Sequence, residues 1–172
     1  MRTVSARPLL AAAFVMLIAL CAQLTVPMTP VSMTMQTFAV LLAGAVLGPL
    51  WGAGAVLAYL ALAALGLPIL SDGSGGLDPF TGPTAGYLVA FPIAAALAGV
   101  SARRGWMQPG LRGVSFLSGL HALILLLGTG WLATSLGVAD AFRHGFSPFL
   151  IGAVVKSILV WLVWRYWPLR RG

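Results

Sequence analysis

Apolar residues in this chain run in long blocks, and polar residues punctuate them. Leu9 to Val26 is apolar almost throughout. A polar-punctuated segment follows, Pro27 to Gln36, with Pro27, Thr29, Pro30, Ser32, Thr34 and Gln36. Phe38 to Leu65 is apolar again, as are the stretches near 84–101, 113–136 and 148–167. A helix needs about 20 residues to cross hydrocarbon, within a range near 17–25. Blocks of this length predict membrane-spanning helices. The block at 38–65 is too long for one upright crossing, reaching roughly 42 Å at the helical rise. Gly48-Pro49 inside it should break the helix.

Composition sharpens that reading. Hydrophobic residues make up 60% of the 172, and charged residues only 8%. An ordinary soluble domain carries about 25% charged residues. Too few charges remain to build a polar shell, so the bilayer must supply much of the solvent. The net charge of +7 could point to nucleic acid. Placement argues otherwise: Arg2 and Arg7, then Arg103, Arg104 and Arg112, then Arg165, Arg170 and Arg171 all flank apolar blocks. That is the positive-inside signature. All three clusters lie inside only if an even number of crossings separates each pair. Splitting the 38–65 block satisfies this condition. The expected architecture is therefore all-α, one membrane domain over 1–172. It has six transmembrane helices, at about 9–26, 37–48, 50–66, 84–101, 113–136 and 148–167, with both termini cytoplasmic. Trp161, Trp164, Tyr166 and Trp167 near the end of the last span fit an aromatic belt at the inner interface.

Two features of the first span need a separate reading. Arg2 and Arg7 before an apolar run fit a signal peptide, and Ile18-Ala19-Leu20-Cys21 resembles a lipoprotein cleavage box. Leu20 is bulky where a small residue is expected, so the stretch is read as a retained span. Cys21 is the one cysteine. It permits no intrachain disulfide and is expected to pack as a small apolar group.

Candidate chemistry is sparse. There is no GxxxxGK[ST] phosphate loop, no HExxH and no GxSxG. With three acidic residues in all, a paired-carboxylate site within the membrane is improbable. A binder or carrier is expected, not an enzyme, with no metal and no cofactor. Lys156 stands in the middle of the last span, where a Lys costs about 2.5–3.5 kcal/mol on insertion scales. Such a charge points to an anionic or carbonyl-bearing ligand, to pairing with Asp72 or Asp78, or to backbone carbonyls alone. His121, among aliphatics in the fifth span, reads as a helix–helix hydrogen-bonding group rather than a metal ligand. His144 and Asp140, four apart in an outer loop, read as local electrostatics. The segment LPILSDGSGGLDPFTG at 67–82 is long for a connector and reads as a lid or binding loop, or as a plain extracellular connector. Gly44, Gly48 and Gly52 form a four-residue ladder that predicts close packing of the second and third spans, or docking of a partner membrane protein.

Several of these segments carry a family pattern. Pro30-Val31-Ser32-Met33-Thr34-Met35-Gln36-Thr37, LLAGAVLG at 41–48, Gly66-Leu67-Pro68, Gly73-Ser74-Gly75-Gly76 and Gly82-Pro83-Thr84-Ala85-Gly86-Tyr87-Leu88 occur in that order. With Leu127-Gly128, Trp131-Leu132, Pro148-Phe149-Leu150, Gly152 and Lys156 they resemble the BioY family over nearly the whole chain. These are biotin-specific substrate-binding (S) components of energy-coupling-factor (ECF) transporters.

The resemblance implies six helices, a biotin site near the extracellular face and a lid formed by loop 67–82. It implies a transmembrane coupling subunit and two cytoplasmic ATPases as partners, and the plasma (inner) membrane as location. A solitary carrier acting as a homo-oligomer, an S component for another vitamin and a structural membrane subunit are the alternatives. In the family, polar contacts come from the loop and from an Asp and a Lys three apart in the last span. Lys156 matches the Lys, and Ala153 stands where the Asp is expected. Asp72 is then a candidate acceptor for the ureido N–H groups. Lys156 is expected to bond the carboxylate or the ureido carbonyl of biotin. Gln36, Thr34, Tyr87, Gly73 and Gly75 complete the expected site, while Trp51 and Tyr59 read equally as packing residues. Ser32 and Ala85 are smaller departures, for a Pro and a Gly. The AxxxA docking face expected on the first span is represented only by Ala11, Val15 and Ala19.

Overall fold

A computed structural model describes residues 6–108 and 110–167. Arg2, Arg170 and Arg171 of the basic clusters lie outside the described residues. The chain is mostly helical. Six helices carry the fold: α1 (Ala6–Gln23), α2 (Gln36–Leu47), α3 (Pro49–Ala64), and, after a short α4 (Asp78–Thr81), α5 (Ala85–Arg103) and α6 (Gly110–Leu136). A short α7 (Val138–Ala141) and irregular helical turns lead into the sixth, α8 (Leu150–Arg165). Among the described residues, four helical stretches are long and apolar enough to cross a membrane: Ala6–Gln23, Ala85–Arg103, Gly110–Leu136 and Val138–Arg165. The helices α2 and α3 are shorter.

The surface follows from the solvent. On α8, Ala153, Lys156, Ser157, Val160 and Trp164 are buried along one stripe. Ile151, Val154, Val155, Ile158, Leu159 and Leu162 face outward. In water such an apolar outer face would drive association; hydrocarbon solvates it. Small residues take the place of large ones where helices meet. A Cβ on Gly44 would overlap the Ala95 carbonyl oxygen of α5, and one on Gly52 would meet the Gly44 backbone. The glycine ladder thus brings α2 against both α3 and α5 at backbone contact, as close packing of small residues allows. Gly48 separates α2 from α3 with φ 86°, and Pro49 occupies the first turn of α3, where its missing N–H costs nothing.

Three local expectations change. Helix α1 ends at Gln23, short of Val26, and Thr25–Val26 pair antiparallel with Met33–Thr34. Both Thr25 and Val26 are β-branched and Pro27 follows, so this segment favours extended backbone. Loop 67–82 is not structureless: Ser71–Ser74 form a tight turn closed by the Ser74 N–H on the Ser71 carbonyl, and Asp78–Thr81 a helical turn. The terminal aromatics are largely turned inward. Trp164 is buried, Trp161 donates to the Met107 carbonyl at 3.0 Å, and Trp167 lies 6.0 Å from the Phe14 ring; Tyr166 alone of the four is exposed.

Candidate functional site

A cavity of about 70 Å³ lies beneath the 67–82 loop. Its wall combines Val31, Ser32, Thr34, Gln36 and Thr37 from the hairpin and α2 with Tyr87, Leu88 and Phe91 from α5. His121, Ile124 and Leu125 of α6 and Ala153 and Lys156 of α8 close the opposite side. Leu70, Ser71, Ser74 and Pro79 of the loop roof it. Apolar walls with a few placed polar groups are the usual design of a small-molecule site.

Lys156 is 8% exposed and reaches across the bundle. Its ammonium donates to the Thr34 carbonyl at 2.6 Å and to Thr37 Oγ1 at 3.3 Å. Both partners are uncharged, and neither Asp72 nor Asp78 is among them. An ammonium has three donors, so with two acceptors among the described residues one N–H remains for an occupant of the cavity. Helix α8 sets this geometry by placing Lys156 on its buried stripe. The extended Met33–Thr34 segment presents the carbonyl, because backbone there is spent on a two-residue ladder rather than on a helix.

The loop is held down by a chain of side-chain bonds. Gln36 Nε2 donates to Tyr59 Oη at 2.7 Å, and the Tyr59 hydroxyl donates to the Ile69 carbonyl at 2.9 Å. Gln23 Nε2 donates to the Leu70 carbonyl at 2.9 Å. The Ser32 and Thr25 hydroxyls donate to the two carboxylate oxygens of Asp72 at 2.9 and 3.3 Å. Tyr87 donates to the Gly145 carbonyl at 2.8 Å, joining α5 to the segment before α8.

The structure therefore gathers four of the seven expected site residues around one cavity: Lys156, Gln36, Thr34 and Tyr87. Asp72, Gly73 and Gly75 do not line it. Asp72 is exposed, in the left-handed region at φ 57°, and fastens the loop to the hairpin. Gly75 packs so closely on the Leu67 carbonyl that a Cβ would collide with it. Tyr59 serves as a buried hydrogen-bonding relay, while Trp51 is exposed. His144 Nδ1 lies 2.9 Å from the backbone carbonyl of Asp140, not from its carboxylate. The sequence reading missed the parts played by Thr37, Phe91, His121 and Ser74. Phe91 lies one helical turn after Tyr87, so helix periodicity alone could have found it. No group of three metal-ligating side chains gathers among the described residues.

A membrane protein of apolar helices enclosing a capped, partly polar cavity belongs to the class of small-molecule binders and carriers. This chain belongs to the BioY family, whose sequence profile matches residues 1–171. It is 42% identical over 148 residues to the probable biotin transporter BioY of Pyrococcus horikoshii, covering 86% of this chain and 87% of that one. It is 38% identical over 163 residues to the biotin transporter BioY of Rhizobium etli, covering 90% and 87%. Among solved structures, it is similar to the crystal structure of the S component for biotin from an ECF-type ABC transporter. That match has a TM-score of 0.85 at 26% identity and covers 98% of this chain and 92% of that one. The family is one of transport proteins, not enzymes.

Proposed function

We propose that this protein binds biotin in the capped cavity and takes it up as the substrate-binding component of an ECF-type transporter. The carrying observation is Lys156, a buried cation with one N–H unspent, in a covered cavity bounded elsewhere by Leu88, Phe91, Ile124 and Leu125. Biotin has complementary chemistry: an apolar thiophane and alkyl chain, a ureido group and a carboxylate. Lys156 bonds the carboxylate or the ureido carbonyl, and Gln36, Thr34 and Tyr87 supply further polar contacts. Asp72, Gly73 and Gly75 contribute by shaping the lid.

In this reading the six principal helices all cross the plasma (inner) membrane, with both termini cytoplasmic. The short α2 crosses packed among α1, α3, α5 and α8, and the short α3 crosses against α1, α2 and α5 with Leu50, Leu57 and Leu62 turned outward. In support, the exposed Arg7, Arg103, Arg104, Arg112 and Arg165 stand at the helix ends away from the lid. Asp72, Asp78 and Asp140 stand at the lid end. Lipid covers the outward face of α8. The chain has no phosphate-loop motif, so a transmembrane coupling subunit and two cytoplasmic ATPases provide the energy. The test is equilibrium binding of labelled biotin to the purified protein, paired with uptake in cells with and without coupling subunits. No saturable binding would refute the substrate. Undiminished uptake without coupling subunits would replace the ECF reading with a solitary, homo-oligomeric carrier.

A further inference from the structure

His121 is 2% exposed and lines the cavity from α6. Its Nδ1 lies 3.2 Å from the Leu117 carbonyl and 2.9 Å from Ser157 Oγ. A carbonyl oxygen only accepts, so the nitrogen facing it must donate. The Ser157 hydroxyl leads to the same tautomer. Its one proton goes to the Ala153 carbonyl at 2.7 Å, leaving its oxygen free to accept from Nδ1–H. In the neutral ring Nε2 is then a bare acceptor. It is buried and has no hydrogen-bond partner among the described residues. An unsatisfied buried polar atom is costly, and native proteins retain few of them.

Helix packing alone does not account for this arrangement. The helix–helix bond uses Nδ1, and a ring held only for that bond need not leave its other nitrogen buried and unpaired on a residue that lines a cavity. Lys156, which closes the same side of the cavity from α8, only donates, so it cannot hold an N–H of a ligand. A urea-type ligand needs both kinds of partner: a donor for its carbonyl or acid and an acceptor for its N–H. Ala153, next to Ser157 on the same stripe of α8, has no polar side chain to offer.

We infer that His121 Nε2 is the acceptor for a ureido N–H of the bound ligand, with Ser157 and the Leu117 carbonyl holding the ring in the required tautomer. The inference rests on the biotin reading and adds a specificity-determining residue to it. It makes Ser157 a positioning residue, acting only through His121.

The test uses purified full-length protein, biotin, and the two biotin isomers methylated on one or the other ureido nitrogen. Wild type should bind biotin, and His121→Phe should bind it at least about tenfold more weakly, the factor corresponding to one buried hydrogen bond. One methylated isomer should show a similar loss on wild type and no further loss on His121→Phe. Nitrogen NMR of the histidine-labelled wild-type chain gives a reading that does not depend on folding of the variant. Nε2 should carry no proton in the free protein and shift on adding biotin. Failure of wild type to bind biotin overturns the functional reading and the inference together. Wild-type binding with an unaffected His121→Phe, or a protonated Nε2 that biotin leaves unmoved, overturns the inference alone.

Discussion

Replacing Lys156 with methionine removes the ammonium and keeps most of the stem's bulk. Two opposite effects follow from the geometry. For the ligand, a hydrogen bond from a charged group is worth about 1.5–3 kcal/mol net, so biotin affinity should fall by roughly 10- to 150-fold. For the empty protein, Lys156 is 8% exposed and the two hydrogen-bond partners of its ammonium are neutral. Taking an ion out of water costs several kcal/mol, and replacing a buried ion by an apolar group is often neutral or stabilising. The two lost bonds to Thr34 and Thr37 offset part of that gain. The unliganded variant should therefore melt no lower than wild type while binding biotin far more weakly. Calorimetric titration with biotin and thermal unfolding in the same detergent check both halves. A variant that melts markedly lower yet binds biotin normally would refute the reasoning, because Lys156 would then be a strut between α8 and the hairpin and not a ligand contact.

Asp72→Ala should cut both ties between the loop and the hairpin, speeding biotin release about tenfold if those ties are worth about 1.4 kcal/mol together; stopped-flow dissociation measures it, and an unchanged rate would mean the lid is held elsewhere. Tyr59→Phe should destabilise by about 1–3 kcal/mol, since it leaves the buried Gln36 amide without its acceptor and frees the Ile69 carbonyl. Thermal unfolding reads this, and a shift within error would count against the relay. Gly44→Val should prevent correct packing of α2 on α5, where even a Cβ meets the Ala95 carbonyl, whereas Gly54→Ala has open space around it. Yield of monodisperse protein should drop for the first and hold for the second; equal yields would contradict the close approach.

Much of the fold could be read along the chain because its causes are local. The apolar blocks became helices, and Gly48-Pro49 broke the longest one. The hairpin at Thr25–Val26 and Met33–Thr34 was not legible, being two residues long on each side and dependent on a partner found only after the chain reverses. The candidate site was legible in part. Lys156 announced itself through the cost of a central charge, and the segment around Thr34 and Gln36 through its polarity within an apolar chain. Asp72 looked equally chemical, yet its carboxylate is used by Ser32 and Thr25 outside the cavity. His121 looked like a plain helix–helix group, because its second nitrogen acquires meaning only from what the cavity leaves unpaired.

By itself the sequence determined the solvent, the class of secondary structure and the spans most able to cross a membrane. These depend on transfer energies and backbone hydrogen bonds summed over neighbouring residues. Tertiary structure alone decided which polar atoms meet. Lys156 bonds a carbonyl 122 residues away and Ser157 a ring 36 residues away. Such contacts depend on how each helix is rotated and how closely glycines let backbones approach. A rotation of one residue about a helix axis turns a side chain by about 100°, enough to carry Lys156 from the cavity to the lipid.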